Sequence, residues 1–230
     1  MSIAQKLTTI AENIPKVYEA GKAAGGDNYY DEFWDEVQNN GKTFNYNYAF
    51  AGSSWNDKTF KPKYDILVEF NQGYLMFQNS NITDLEKALG DKKLDVSMAG
   101  SSVFNGAAKM VTIPEVTATQ GINSWFRGCG SLQTIRKITL PEILIGTPFY
   151  NSFMGCSKLT NITFEGVIGV NISFDASPLL SAESIDNIIN CLKDLTGGTA
   201  QTLTFHATVG SNLTDTQKAT ITAKNWTLVY

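Results

Sequence analysis

The sequence predicts an α/β repeat protein: a solenoid of parallel strands, with helices before it and a mixed α/β cap after it. Three observations predict this. The stretch from Asn123 to Ile135 is echoed from Asn151 to Ile162, each with Phe, a small residue three later, Leu six later and Ile nine later. Phenylalanines recur along the middle of the chain at near-regular intervals. The two ends instead carry apolar residues at helical spacing.

Composition narrows the function classes. The 230 residues are enough for a sizeable core, and 43% of them are hydrophobic, as in globular chains. Only 17% are charged, and Asn, Thr and Ser are abundant, which suits a β-rich surface. The formal net charge is -4 and no basic run occurs, so neither nucleic acid nor an anionic membrane is an expected partner. No apolar stretch reaches the length of a membrane span. The first residues lack a basic segment followed by an apolar one, so no secretory signal is expected.

Residues 1–24 are read as an N-terminal helix. Ile3, Leu7, Ile10, Ile14 and Val17 step by four, three, four and three, the spacing of a heptad seam. So narrow a stripe suits a short coiled coil, hence a homo-oligomer, with dimer and trimer both open. The alternative is one amphipathic helix docked on its own domain. Pro15 marks a kink or restart. Gly21, Gly25 and Gly26 then break the chain, and Asp27 or Asn28 caps a helix over residues 29–37. Tyr30, Phe33, Trp34 and Val37 share one face of that helix, which suits a lid on the end of a repeat array.

The repeats follow, within a segment spanning residues 27–180. Their anchors are Phe50, Phe77, Phe104, Phe126, Phe153 and Phe174. Three residues later come Ser53, Ser80, Ala107, Cys129, Cys156 and Ser177; nine later, in the middle repeats, come Ile113, Ile135 and Ile162. Short strand-like pieces lie between the anchors, at 66–68, 94–96, 110–113, 138–140, 162–164 and 170–172. One strand and one turn per repeat, stacked about 4.8 Å apart, place each anchor on the next. No repeat buries its anchor alone, so stability arises between neighbours.

Residues 181–230 change character and form the cap. Ser181 caps a helix with Ile185, Ile188, Ile189, Leu192 and Leu195 on one face, ended by Gly197 and Gly198. Gln201 to His206 alternates as a strand, with His206 on its solvent face. Thr214 or Asp215 caps a second helix through Ala223, and residues 226–230 make a last strand.

The skeleton Phe126, Cys129, Leu132, Ile135, Ile138 and Pro141, repeated as Phe153, Cys156, Leu159 and Ile162, resembles the BspA-like leucine-rich repeat. Ala49-Phe50 keeps that pattern's Ala-Phe pair, whereas Phe104, Ala107 and Met110 depart from it. The resemblance covers residues 44–180 and implies a leucine-rich-repeat solenoid. The opening Ile3 to Asn13, Val17 to Gly21 and Tyr30 to Trp34 are similar to leucine-rich-repeat proteins encoded in phages and prophages of Gram-positive gut bacteria. That similarity implies a tail-associated protein, found in the virion or in the host cytoplasm before release. The other role linked to such repeats is a bacterial cell-surface adhesin or host-interaction protein.

No residue set takes a catalytic, cofactor-binding or metal-ligating role. The one histidine, His206, has no nucleophile or carboxylate placed beside it by any motif. Cys129, Cys156 and Cys191 make an odd count without ligand spacing, and the first two are read as small buried hydrophobes in tight turns. What remains is binding, and the expectation is a non-enzymatic module that presents its repeats to a protein or a surface glycan. Trp55, Trp125 and Tyr150 are the candidate ligand contacts, Trp125 because alternation with Phe126 points it outward. The competing expectation is that these aromatics pad irregular early repeats.

Overall fold

β-branched runs separated by Gly- and Asn-bearing turns give short strands, and few of those here exceed five residues. A computed structural model describes residues 34, 35, 37–39, 45–52, 55–68, 72–142, 144 and 147–230. The candidate oligomerisation residues Ile3, Leu7, Ile10, Ile14 and Val17, and most of the helix expected over 29–37, lie outside them. In chain order the elements are β1 (Ile66–Leu67), α1 (Leu85–Leu89), β2 (Leu94–Asp95), β3 (Thr112–Thr117), β4 (Thr134–Thr139), β5 (Asn161–Glu165), β6 (Ile172–Phe174), α2 (Ala182–Cys191), β7 (Gln201–Phe205), α3 (Ala207–Ser211), α4 (Asp215–Ala223) and β8 (Trp226–Val229). The fold is mixed α/β, with three small parallel sheets ordered β1-β2, β3-β4-β5 and β6-β7-β8.

Register in the middle sheet follows the repeat. Ile113 pairs with Ile135, and Ile135 with Ile162, so the isoleucine nine residues after each anchor lies beside its equivalent. All three are buried. Pro114 interrupts β3 without loss, because β3 is an edge strand of its sheet and a missing N–H costs least there.

The anchors form one continuous stack of rings. Centroid separations run 5.2 Å for Phe50–Phe77, 5.4 Å for Phe77–Phe104, 5.6 Å for Phe104–Phe126, 5.6 Å for Phe126–Phe153 and 4.6 Å for Phe153–Phe174. The stack continues to Phe205 at 6.0 Å, a rung that the sequence pattern did not include. At the other end Trp34 covers Phe50 at 6.3 Å and stacks on Trp55 at 6.4 Å, while Val37 is buried beside it. Residues 34, 35 and 37–39 are helical, and Trp34 among them packs on Phe50 at this end of the ring stack.

Two left-handed residues shape each turn. Two positions before the first five anchors stand Tyr48, Leu75, Ser102, Ser124 and Asn151, all with φ between 51° and 67°. Two positions after them stand Gly52, Asn79, Gly106, Gly128 and Gly155, with φ between 54° and 81°. Glycine and asparagine accept this conformation at least cost. The turns then hydrogen-bond to one another: Phe50 N–H donates to Met76 O at 2.9 Å, Phe104 N–H to Trp125 O at 3.0 Å and Phe126 N–H to Ser152 O at 3.1 Å.

The C-terminal segment departs from expectation in two places. Helix α2 ends at Cys191, well before Gly197, because Leu192 turns extended and bridges Ile168. Lys224 Nζ then donates to the carbonyls of Ile189, Asn190 and Leu192 at 2.9–3.0 Å, satisfying groups that the helix end leaves open. Helix α3 was not expected at all. Of the two caps the sequence offered, Thr214 is the one that caps α4, and it does so with the reciprocal side-chain bonds of a capping box to Gln217.

Candidate functional site

Strand alternation puts Ile172 and Phe174 of β6 and Leu203 and Phe205 of β7 into the core. Ser173 and Thr204 are therefore turned outward as a paired couple, with Thr202 one step along. Opposite them runs the turn 147–151, whose Phe149 is buried and whose Tyr150 is 60% exposed. Between the two lies a groove of about 560 Å³. That volume lies within the roughly 300–1,000 Å³ of ligand clefts.

Its polar groups are held in fixed orientations. Asn171 Oδ1 accepts the Thr202 N–H at 2.6 Å, and Gln201 Oε1 accepts the Asn171 N–H at 3.0 Å. This reciprocal clasp ties the approach to β6 to the start of β7. With each amide oxygen committed to a backbone donor, neither side-chain NH₂ makes a hydrogen bond among the described residues. Ser173 Oγ is oriented by donating to Asp175 Oδ1 at 3.0 Å. No Asp, Glu, Lys, Arg or His lines the groove among the described residues.

A second concavity, of about 920 Å³, has the opposite character. It lies over α1, β2, β3 and β4 and is rich in charge. Those charges are largely matched: Arg136 Nε donates to Glu86 Oε2 at 2.8 Å, and Lys137 Nζ sits 3.1 Å from Glu115 and 3.0 Å from Glu165. Hydrogen bonds from Lys137 and its charge hold the Glu165 carboxyl below its ordinary value, and the two glutamates raise the Lys137 amine. An ion pair already satisfied on the protein offers little to a charged ligand.

Of the three candidate ligand contacts, Tyr150 lies on the surface and in the first groove. Trp125 is fully buried, which corrects the outward placement. The alternation argument fails because residues 123–128 form a turn, not a strand. Left-handed Ser124 swings the indole inward, where Nε1 donates to Gly100 O at 2.7 Å and the ring meets Phe104 and Phe126 edge-on at 6.2 Å. Trp55 is corrected likewise, being 1% exposed and packed at 5.2 Å from Phe50 and 5.7 Å from Phe60. Both tryptophans fill the core, the competing expectation for them.

The groove's other polar residues, Asn151, Asn171, Ser173, Gln201, Thr202 and Thr204, were not singled out from the sequence. The usable signal was the period-two pattern of β7, which sets Thr202 and Thr204 against Leu203 and Phe205. That the 147–151 turn faces them follows only from the fold.

The thiols are structural in their surroundings. Cys129 Sγ donates to Phe104 O at 3.1 Å and Cys156 Sγ to Phe126 O at 3.0 Å, each to the anchor of the preceding repeat. Burial pushes the Cys129 thiol well above its ordinary value and raises Cys156 to about 12, so both are protonated and poor nucleophiles. His206 is displaced from the strand where it was expected. It caps α3, Nδ1 accepting the Thr208 N–H at 3.1 Å. No group of three or more His, Cys, Asp or Glu is placed to hold a metal among the described residues, and no helix among them is long and apolar enough to cross a membrane. Compared with family models, with curated proteins and with solved structures, the chain matches none.

Proposed function

We infer that the protein is a non-enzymatic binding module built as a BspA-like leucine-rich-repeat solenoid, tail-associated in a phage or prophage, and presenting its repeats to a bacterial surface. The observation that carries this reading is the equivalence of positions between repeats. Anchor rings stack on anchor rings at 4.6–5.6 Å, and Ile113, Ile135 and Ile162 lie side by side in parallel strands. A scaffold of that kind holds its outward side chains in fixed rows, which suits recognition of an extended ligand. The association with a particle, and the homo-oligomer formed through Ile3, Leu7, Ile10, Ile14 and Val17, rest on the sequence resemblance and the heptad spacing. The partner is a surface glycan or a surface protein.

Immunogold electron microscopy of purified virions tests the reading, together with retention of the protein on cell walls of the host bacterium. Label at the tail and retention on walls are expected. Protein made during induction but absent from particles, and washed freely from walls, refutes it.

A further inference from the structure

We propose that the groove between the 147–151 turn and the outer face of β6 and β7 is a binding site for an uncharged oligosaccharide. The proposal deepens the surface-binding reading and rests on it. Three features of the groove specify the ligand.

The first is charge. Among the described residues, no side chain that is charged near neutral pH lines the groove, whereas the second concavity is dense with charge. A phosphate, carboxylate or ammonium on a ligand would find no counter-ion in the first groove, and its desolvation would go uncompensated. The ligand is therefore neutral.

The second is hydrogen bonding. The amides of Asn171 and Gln201 are fixed with their oxygens on backbone donors and their NH₂ groups free, and the hydroxyls of Thr202 and Thr204 flank them. Oriented donors alternating with hydroxyls match a ligand that carries many hydroxyls, each of which both donates and accepts.

The third is the aromatic platform. Tyr150 is 60% exposed in the groove wall, next to left-handed Asn151 and buried Phe149. It presents an apolar ring face with a polar tip, which suits the mixed apolar and hydroxylated faces of a sugar ring.

The test is calorimetric titration and saturation-transfer NMR of the full chain with maltotriose, cellotriose, chitotriose and rhamnotriose, and with trigalacturonate as the charged comparison. At least one neutral trimer is expected to bind, with trigalacturonate not binding. Tyr150→Ala is expected to weaken that binding roughly tenfold. Gln201→Glu keeps the acceptor for Asn171 N–H, replaces the free NH₂ by a charged oxygen, and weakens it by a smaller factor. Arg136→Ala, in the second concavity, leaves it unchanged. Circular dichroism confirms that each variant is folded. Absence of neutral-trimer binding, or binding indifferent to both groove variants, overturns the proposal. Equal retention of wild type and Tyr150→Ala on host cell walls overturns the groove while leaving the surface-binding reading in place. Retention of neither removes both.

Discussion

The Cys156 thiol donates to the carbonyl oxygen of Phe126 at 3.0 Å, and Cys129 repeats that contact on Phe104 at 3.1 Å. Each bond reaches from the small residue of one repeat to the anchor of the one before it. Each carbonyl also accepts a backbone N–H in its own turn, from Cys129 and Ala107 respectively. The small residue thus serves two ends, space for a tight turn and a tie between neighbours. Burial raises both thiols, Cys156 to about 12, whereas Cys191 is half-buried and raised less completely against the charge of Lys224. Native protein treated with a disulfide reagent at pH 8 is therefore expected to react at Cys191 first. Cys129 and Cys156 should titrate only as the chain unfolds, in step with loss of circular dichroism. Three thiols reacting at one rate in the native state would contradict this.

Ser80 occupies the same place as those cysteines, but its hydroxyl is buried with no hydrogen-bond partner among the described residues. The next repeat carries Ala107 there. A buried hydroxyl left unpaired costs on the order of 1–3 kcal/mol. Ser80→Ala removes that cost and opens almost no cavity. It is expected to leave stability unchanged or raise it by about 1 kcal/mol, read from urea denaturation. A loss of stability would show that the hydroxyl has a role the present geometry does not contain.

The ring stack extends one rung further than the repeat spacing indicates. Phe205 follows Phe174 by a longer step than any other and is followed three residues later by Thr208, so no pattern marks it. It is 1% exposed, and its ring lies 6.0 Å from Phe174, nearly parallel to it. Phe126→Ala and Phe205→Ala are each expected to cost about 3–5 kcal/mol. Tyr150→Ala, on the surface, should stay within about 0.5 kcal/mol of wild type. A denaturation midpoint for Phe205→Ala close to that of Tyr150→Ala would remove Phe205 from the stack.

How much of this was legible in the sequence depends on how locally each feature is encoded. Anchor, small residue and isoleucine recur at fixed offsets, so Phe126, Cys156 and Ile135 could be placed in the core by spacing alone. The inward turn of Trp125 could not, because a period-two rule was applied to a stretch that is a turn. Glycine two positions after the anchor, at Gly52, Gly106, Gly128 and Gly155, was the overlooked sign that these stretches turn. The groove was beyond reach by any local rule. It joins Tyr150 to Thr204, which lie far apart in sequence and meet only because β6 and β7 pack beside the 147–151 turn.

Those glycines carry a test of their own. Gly128 has φ +76°, and a Cβ there would meet only Gly106 backbone, at ordinary contact distance. Space is therefore not the obstacle, and the cost of alanine is conformational, about 1–2 kcal/mol. Asparagine tolerates left-handed backbone better, as Asn79 does at the equivalent position with φ 54°. Gly128→Asn is expected to lose less stability than Gly128→Ala despite its larger side chain. The reverse order would make packing, not backbone, the reason for glycine.

Acid should loosen the first part of the fold through Asp57. Its carboxylate accepts the Thr83 N–H at 2.7 Å, the Asp84 N–H at 3.2 Å and the Thr83 hydroxyl, tying its loop to the start of α1, which Asp84 caps. Partial burial raises the Asp57 carboxyl, but these hydrogen bonds and the charge of Lys87 outweigh it and hold the carboxyl below its ordinary value. A group depressed on folding contributes stability that is present above the unfolded value, about 3.9, and is lost as pH falls through the lower folded value. Asp57→Asn cannot take up that proton. It should therefore be less stable than wild type at pH 7, with the gap narrowing below about pH 4 as wild type loses the same interaction. Urea midpoints of both proteins at pH 7, 5, 4 and 3 measure the gap, and a constant difference across that range would show that the Asp57 carboxylate charge does not hold Thr83 and Asp84.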